Sequence, residues 1–402
     1  MRIRQTPCFS LKDVIKRGKK DIDIYPLNSK NCYLFYGARY AIWAGIKVLG
    51  ITPGHNILMP SYNCGTEIDP ILDQEVQVKY YNIKKNMAID TEDLVKQIDS
   101  NTTAIFVIHY MGFPQPLDEI KKMCNTYGLF LIEDCAHAFL GAHNSRNLGT
   151  YGDISVFSIR KTLPIPNGGA LVINNNNFKF EENMIKGSAL STYFVAIELL
   201  KNRTQQGQPR LLRMLIDMVI VSMAFMNKVF MLMLRVFKKI SSYKGLALIH
   251  INYYCREFKR ELAKWRISAF SERIMYNINY EKIKQKRRKN FEYLLMNLPK
   301  NQDIEVVFNR LPEGVCPLFF PIIVKDRQYY YRKFSDRGIT TFQYWQHMHD
   351  AVSWDKFPDA VFLKQHVLGL PVHQDISFDH LKRIIEVFND INKGRELNNL
   401  SD

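Results

Sequence analysis

Lys161 sits between two short apolar runs, Ile154–Phe157 and Ala170–Ile173, and Asp134 closes a third, Leu129–Asp134. A lysine amine condenses readily with an aldehyde. A carboxylate beside a heteroaromatic nitrogen keeps that nitrogen protonated, so the ring can accept electrons. Pyridoxal phosphate chemistry requires both groups. Singly, each residue has a plainer reading: Lys161 beside Arg160 as a solvated surface lysine, Asp134 as a helix cap or ion-pair partner, Gly168 and Gly169 as a hairpin. Their joint order and spacing favour the cofactor. Gly37 and Ala38 open a helix running through Trp43 and Val48, and small residues there leave backbone N–H groups open to a phosphate. Gly37 would serve equally in a turn. Ser158, three residues before Lys161, offers a hydroxyl to the same phosphate. Arg39 offers charge there, or further out to a nucleotide diphosphate, or braces the sheet.

The elements that must position these groups alternate. Asn56–Pro60, Val76–Asn82, Ala104–His109, Leu129–Asp134, Ile154–Phe157 and Ala170–Ile173 are rich in Ile, Val and Phe and predict strands. Arg39–Leu49, Cys64–Leu72, Thr91–Ile98 and Leu117–Tyr127 have helical period, with Thr91 as N-cap before an acidic first turn. Such alternation implies an α/β fold with a mostly parallel central sheet covered by helices. Sites in such sheets open at the carboxyl ends of strands, so His109 and Asp134 are expected to converge on one crevice. Glu133, one residue before Asp134, should point the other way. The chain divides into a large domain (1–180), a helical insertion or linker (181–270) and a smaller C-terminal α/β domain (271–402). In the last, Leu318–Val324 and Ile339–Tyr344 read as strands, and Tyr329–Arg337 and Phe378–Asn392 as helices.

The 402 residues are 47% hydrophobic and carry a formal charge of +16. That charge points to nucleic acid, an anionic membrane face or an acidic small substrate. No nucleic-acid module is present, which leaves the last two. Seven scattered cysteines without paired spacing argue against a disulfide framework and a zinc site. His347 and His349 stand two apart, a weak metal signal, and no metal is expected. Met1–Pro7 lacks the apolar core of a signal peptide, so a cytoplasmic protein is expected. Within Arg210–Lys239, six charged residues fall on one stripe of an otherwise apolar, Met-rich helix. Asp217 and Lys228 interrupt it, whereas a membrane span wants about 20 apolar residues. A buried or interface helix is one reading, and peripheral contact with an anionic membrane through 210–239 is the other.

Several ordered motifs resemble the DegT/DnrJ/EryC1/StrS family of sugar aminotransferases. They are Thr52–Gly54 with Met59–Tyr62, Val107–Gly112, Ile132–His137, Gly152–Asp153 with Phe157–Ser158, and Lys161 followed by Gly168 and Gly169. The resemblance implies the type I fold of pyridoxal 5'-phosphate enzymes. In it Lys161 joins the cofactor and moves the proton, Asp134 bonds the pyridine nitrogen, and Ser158 with the Gly37 and Ala38 amides holds the phosphate. His137 stands where the family usually has glutamine, near the cofactor's phenolic oxygen, and reads also as a packing histidine. His109 looks structural. Cys64 takes the place of an aromatic that stacks on the cofactor ring, and Asn167 that of an acid before the glycine pair. The resemblance further implies a homodimer moving an amino group from an amino acid to a nucleotide-linked ketosugar for bacterial surface polysaccharide. Two rivals remain. One is a deoxysugar dehydratase of the same fold, against which Lys161 argues because those enzymes typically replace that lysine. The other is a non-catalytic scaffold at a membrane.

Overall fold

The computed structural model describes residues 2–8, 14, 22–187, 192, 196, 218, 222, 258–299 and 302–399. The amphipathic stretch Arg210–Lys239 lies outside the described residues apart from Met218 and Ser222.

The apolar runs of the first half form a seven-stranded sheet. Its strands are β1 (Cys32–Phe35), β2 (Asn56–Pro60), β3 (Gln77–Tyr81), β4 (Thr102–Ile108) and β5 (Phe130–Asp134). After a two-stranded hairpin of β6 (Ala142–His143) and β7 (Arg146–Asn147) come β8 (Ile154–Phe157) and β9 (Gly169–Ile173). The order is β1-β9-β8-β5-β4-β2-β3. Strands β3, β2, β4, β5 and β8 run parallel, as their continuous apolar character requires of strands covered on both faces. Strands β9 and β1 each run antiparallel to their neighbour. The chain therefore turns back directly between β8 and β9, and Lys161 lies in that connection.

Local chemistry sets the element ends. Leu117–Tyr127 buries Leu117, Ile120 and Cys124 on one helical face and stops at Gly128, whose φ of 68° suits glycine. Two expected helices change at their starts. Thr91–Lys96 is capped by the Asp90 side chain, which accepts from Asp93 N, and not by Thr91. The expected helix Cys64–Leu72 is reduced to Asp69–Leu72, because Cys64 N and Gly65 N donate to the side chains of Glu67 and Asn63 and divert the backbone.

A second sheet, all antiparallel, holds β10 (Ile304–Val306), β11 (Phe319–Val324), β12 (Phe342–Gln343) and β13 (Val367–Pro371) in the order β10-β11-β13-β12. Helices Tyr280–Asn297, Arg327–Asp336, Pro358–His366 and Phe378–Asn399 accompany it. The expected strand Ile339–Tyr344 shortens to Phe342–Gln343. Arg287, fully buried, ties the two units: it donates to Pro317 O and Leu318 O on one side and to Thr162 O on the other. Trp265 and Ile267 bond the backbone of Tyr36 and Leu34, extending the edge beyond β1.

Candidate active site

The turn that carries Lys161, Ile159–Thr162, is locked at both ends. Lys161 N bonds Ser158 O at 3.0 Å, and Gly168 N bonds Tyr36 O at 3.0 Å. A Cβ on Gly169 would collide with the backbone of Gly37 and Ala38, and Gly168 has φ +150°. The glycine pair is thus what lets β9 press against the start of helix Ala38–Val48. Asn167 is buried beside it. Its carbonyl oxygen accepts from Ser268 N (2.9 Å) and Ser271 Oγ (3.1 Å), while its Nδ2 donates to Thr192 Oγ1 (3.3 Å). An acid could accept there but not donate, which accounts for the amide.

Lys161, Arg39, Cys64 and His137 line one cavity of about 590 Å³, a size within the range of small-molecule sites. Asp134 stands at the end of β5, buried, with Oδ1 accepting from Ala136 N at 2.7 Å. Burial pushes its carboxyl up to about 6, against the pull of the Lys161 charge. The lysine and the acid are therefore electrostatic neighbours. Gly37, Ala38 and Ser158 do not line the cavity. Gly37 is the N-cap of helix Ala38–Val48 without a side-chain cap, and Ser158 is buried.

Burial, reinforced by Lys161, holds His137 well below the usual histidine range, so its ring is neutral. Nδ1 accepts from Met111 N at 3.4 Å, which assigns the ring proton to Nε2 as a donor. The Cys64 thiol donates to Glu67 Oε2 at 2.6 Å, and burial pushes it up to about 12. It is a thiol and not a nucleophilic thiolate.

Cys64 brings no ring to the cavity, yet a ring is there. Trp345 lines the same space, with centroid distances of 4.7 Å to Tyr62, 5.3 Å to His137 and 5.7 Å to Tyr110. Its φ is +44°, a costly backbone for an aromatic residue. Buried Lys364 holds it: Nζ donates to Trp345 O (3.1 Å), His347 O (2.8 Å) and Asn63 O (2.6 Å). Burial lowers this amine to about 8, with Glu67 opposing. Neither Trp345 nor Lys364 belongs to a motif, and no sequence signal marked them.

One expectation is corrected. His109 does not converge with Asp134. Ile108 pairs with Asp134 across the parallel ladder, so His109 shares a face with Glu133. His109 Nε2 meets Glu133 Oε2 at 3.1 Å, and Glu133 also accepts from Gly149 N, Tyr151 N and Gly152 N. Glu133 points away from Asp134 and fastens the loop before β8. His349 bonds Asp69, while His347 lines the cavity.

Residues 28–193 match the model of the DegT/DnrJ/EryC1/StrS aminotransferase family. A GDP-perosamine synthase of Vibrio cholerae is 30% identical over 139 residues, 34% of this chain and 38% of that protein. A UDP-4-amino-4,6-dideoxy-N-acetyl-beta-L-altrosamine transaminase of Campylobacter jejuni is 28% identical over 177 residues, 41% of this chain and 47% of that protein. The matched part thus spans less than half the length of either relative. Among solved structures, NtdA of Bacillus subtilis, with bound cofactor PMP, superposes with a TM-score of 0.61 at 18% identity, covering 90% of this chain and 73% of that one. The fold is that of solved sugar aminotransferases, and the family resemblance read from the motifs holds over residues 28–193.

Proposed function

We propose that this chain is a pyridoxal-5'-phosphate-dependent aminotransferase that carries an amino group from an amino acid to a nucleotide-linked ketosugar in surface polysaccharide synthesis, acting as a homodimer. The observation that carries the reading is buried Asp134 as the charge neighbour of Lys161, which itself lines a cavity of about 590 Å³. The residues fit the cofactor. A carboxyl that burial has raised to about 6 gains most from a protonated ring nitrogen beside it, and the cavity admits a flat phosphorylated ring. The names of the Vibrio and Campylobacter relatives support a nucleotide-sugar substrate.

When bound, the cofactor supplies an aldehyde for amines and an electron-accepting ring. Asp134 would hold a proton at the ring nitrogen. Lys161 would offer its amine to anchor the aldehyde, then hold and move a proton at the substrate's amine-bearing carbon. His137 would have its Nε2–H available to donate to the cofactor. Trp345 and the turn after Lys161 exclude water from the reacting carbon.

Absorbance of the purified protein tests this. A band near the visible edge that borohydride abolishes, and that Lys161→Ala lacks, is the expected result. Amino donors should bleach the band and a nucleotide ketosugar restore it, with ping-pong kinetics. A protein that never takes up the cofactor would leave only the scaffold reading.

A further inference from the structure

Helix Tyr280–Asn297 has two faces. Ile283, Arg287, Asn290, Phe291 and Leu294 are buried. That side is pinned: Asn290 Nδ2 donates to Val372 O (3.1 Å) and His373 O (3.0 Å), and Arg287 Nε donates to Gln374 Oε1 (3.1 Å). The helix is thereby seated beside the start of Phe378–Asn399, where the rings of Tyr293 and Phe378 stand 5.1 Å apart. A second stripe faces outward. Lys282, Lys286, Lys289, Tyr293 and Met296 follow at intervals of four and three residues. At about 100° per residue they fall within about 80° of arc. Glu281 and Glu292 lie about 90° round from the middle of that stripe. Glu281 accepts from Gln285 Nε2, and Glu292 pairs with Arg288. Across the helix junction Lys382 Nζ sits 4.6 Å from the centre of the Phe378 ring. Among the described residues, no carboxylate forms an ion pair with Lys282, Lys286, Lys289 or Lys382. Asp379, exposed beside Phe378 in the chain, subtracts one charge. Met296 is 79% exposed and Phe378 52%, and Met296 is the most exposed large apolar side chain among the described residues.

We propose that this face, with Lys282, Lys286, Lys289 and Lys382 around Met296 and Phe378, docks on an anionic lipid bilayer. Two apolar tips enter the boundary between headgroups and acyl chains, and the four ammonium groups meet the lipid phosphates around them. A solvated face explains the lysines but not the adjoining apolar tips, which water disfavours. Nucleic acid or an acidic protein would reward the charge alone, and phosphate recognition by geometry favours arginine over lysine. A charged bilayer rewards both halves of the face at once. The surface stands apart from the stretch 210–239 and from the cavity, which none of these six residues lines. The proposal does not rest on the aminotransferase reading.

The test is co-sedimentation of the full chain with vesicles of phosphatidylcholine alone and of an equimolar mixture with phosphatidylglycerol. The parent should bind the charged vesicles far better, and less as salt rises. Partitioning should fall by about a hundredfold in Lys282→Gln/Lys286→Gln/Lys289→Gln, the scale of three lysines near a charged membrane. It should fall by about tenfold in Met296→Ser/Phe378→Ser. Both variants should keep the parent's thermal unfolding and its absorbance spectrum, since the changes lie on the surface. A parent without preference for charged vesicles overturns the proposal. So does parental binding by the lysine variant, which would place any lipid contact elsewhere in the chain. Loss in the lysine variant with none in the apolar variant would leave a general polyanion surface and overturn the bilayer. A change of oligomeric state in either variant, with vesicle binding unaltered, would make the face a contact between copies of this chain and overturn it as well.

Discussion

Two walls of the cavity are built by different means. The first, with Lys161 and His137 and with Asp134 buried behind them, hangs from strand ends of the seven-stranded sheet, each group following an apolar run. The second, Thr340–His347, has only two residues of strand, and Trp345 stands at φ +44°. Its shape is imposed by Lys364, whose amine gathers three carbonyls from two separate loops. The first wall is rigid because a ladder holds it. The second is rigid because one buried cation does.

The largest expected effect falls on the first wall. Glu133→Ala strips the acceptor from three buried backbone amides and from His109. At about 1–3 kcal/mol for each unsatisfied group, the loss should exceed about 4 kcal/mol in chemical denaturation. A loss below about 1 kcal/mol would show that the strand ends stand without it.

Lys364→Met probes the second wall and should cost about 3 kcal/mol through orphaned carbonyls. The indole emission assigned to Trp345 by difference against Trp345→Phe should shift to the red. The sign with pH is fixed. Folding lowers this amine from 10.5 to about 8, so the folded chain binds fewer protons between those values. Wild-type stability should therefore gain from this group as pH rises from 8 to 10.5, a gain that Lys364→Met lacks. Identical pH profiles in the two proteins would remove the buried cation from the account.

Asp134→Asn should act in the opposite direction on stability. The native carboxyl is raised from 3.8 to about 6, so the folded state holds the extra proton and wild-type stability falls as pH climbs from about 4 to 6. At pH 7 the variant without cofactor should be more stable by up to about 3 kcal/mol, with no gain below pH 4. It should retain cofactor poorly, read from the absorbance band after dialysis. A variant that keeps the band as well as the parent does would detach Asp134 from the site. Trp345→Phe is the mildest, with a stability loss of about 1 kcal/mol and a raised KM for the sugar substrate at little change in kcat. An unchanged KM would leave the indole as packing alone.

Much of the first wall was legible because parallel strands buried on both faces are apolar from end to end. The runs Asn56–Pro60 and Ile154–Phe157 coincide with β2 and β8, and alternation correctly turned Glu133 away from Asp134. His109 was misplaced because alternation within a strand says nothing of its register against the next. β1, β10 and β13 were not marked, being short or interrupted by glycine and proline. Cys64–Leu72 has the apolar spacing of a helix, but side-chain acceptors at Asn63 and Glu67 competed for its first amides.

Residue order by itself determined the lysine, the acid, the glycine pair and the strands that carry them, because these depend on local burial and on a tight turn. Only the tertiary structure decided that an indole would line the same cavity as Cys64, that Lys364 would hold it there, and that Arg2 and Arg4 would join that lining. Those contacts join segments up to hundreds of positions apart, and hydrogen bonds between distant carbonyls and amines leave no periodic trace in a sequence.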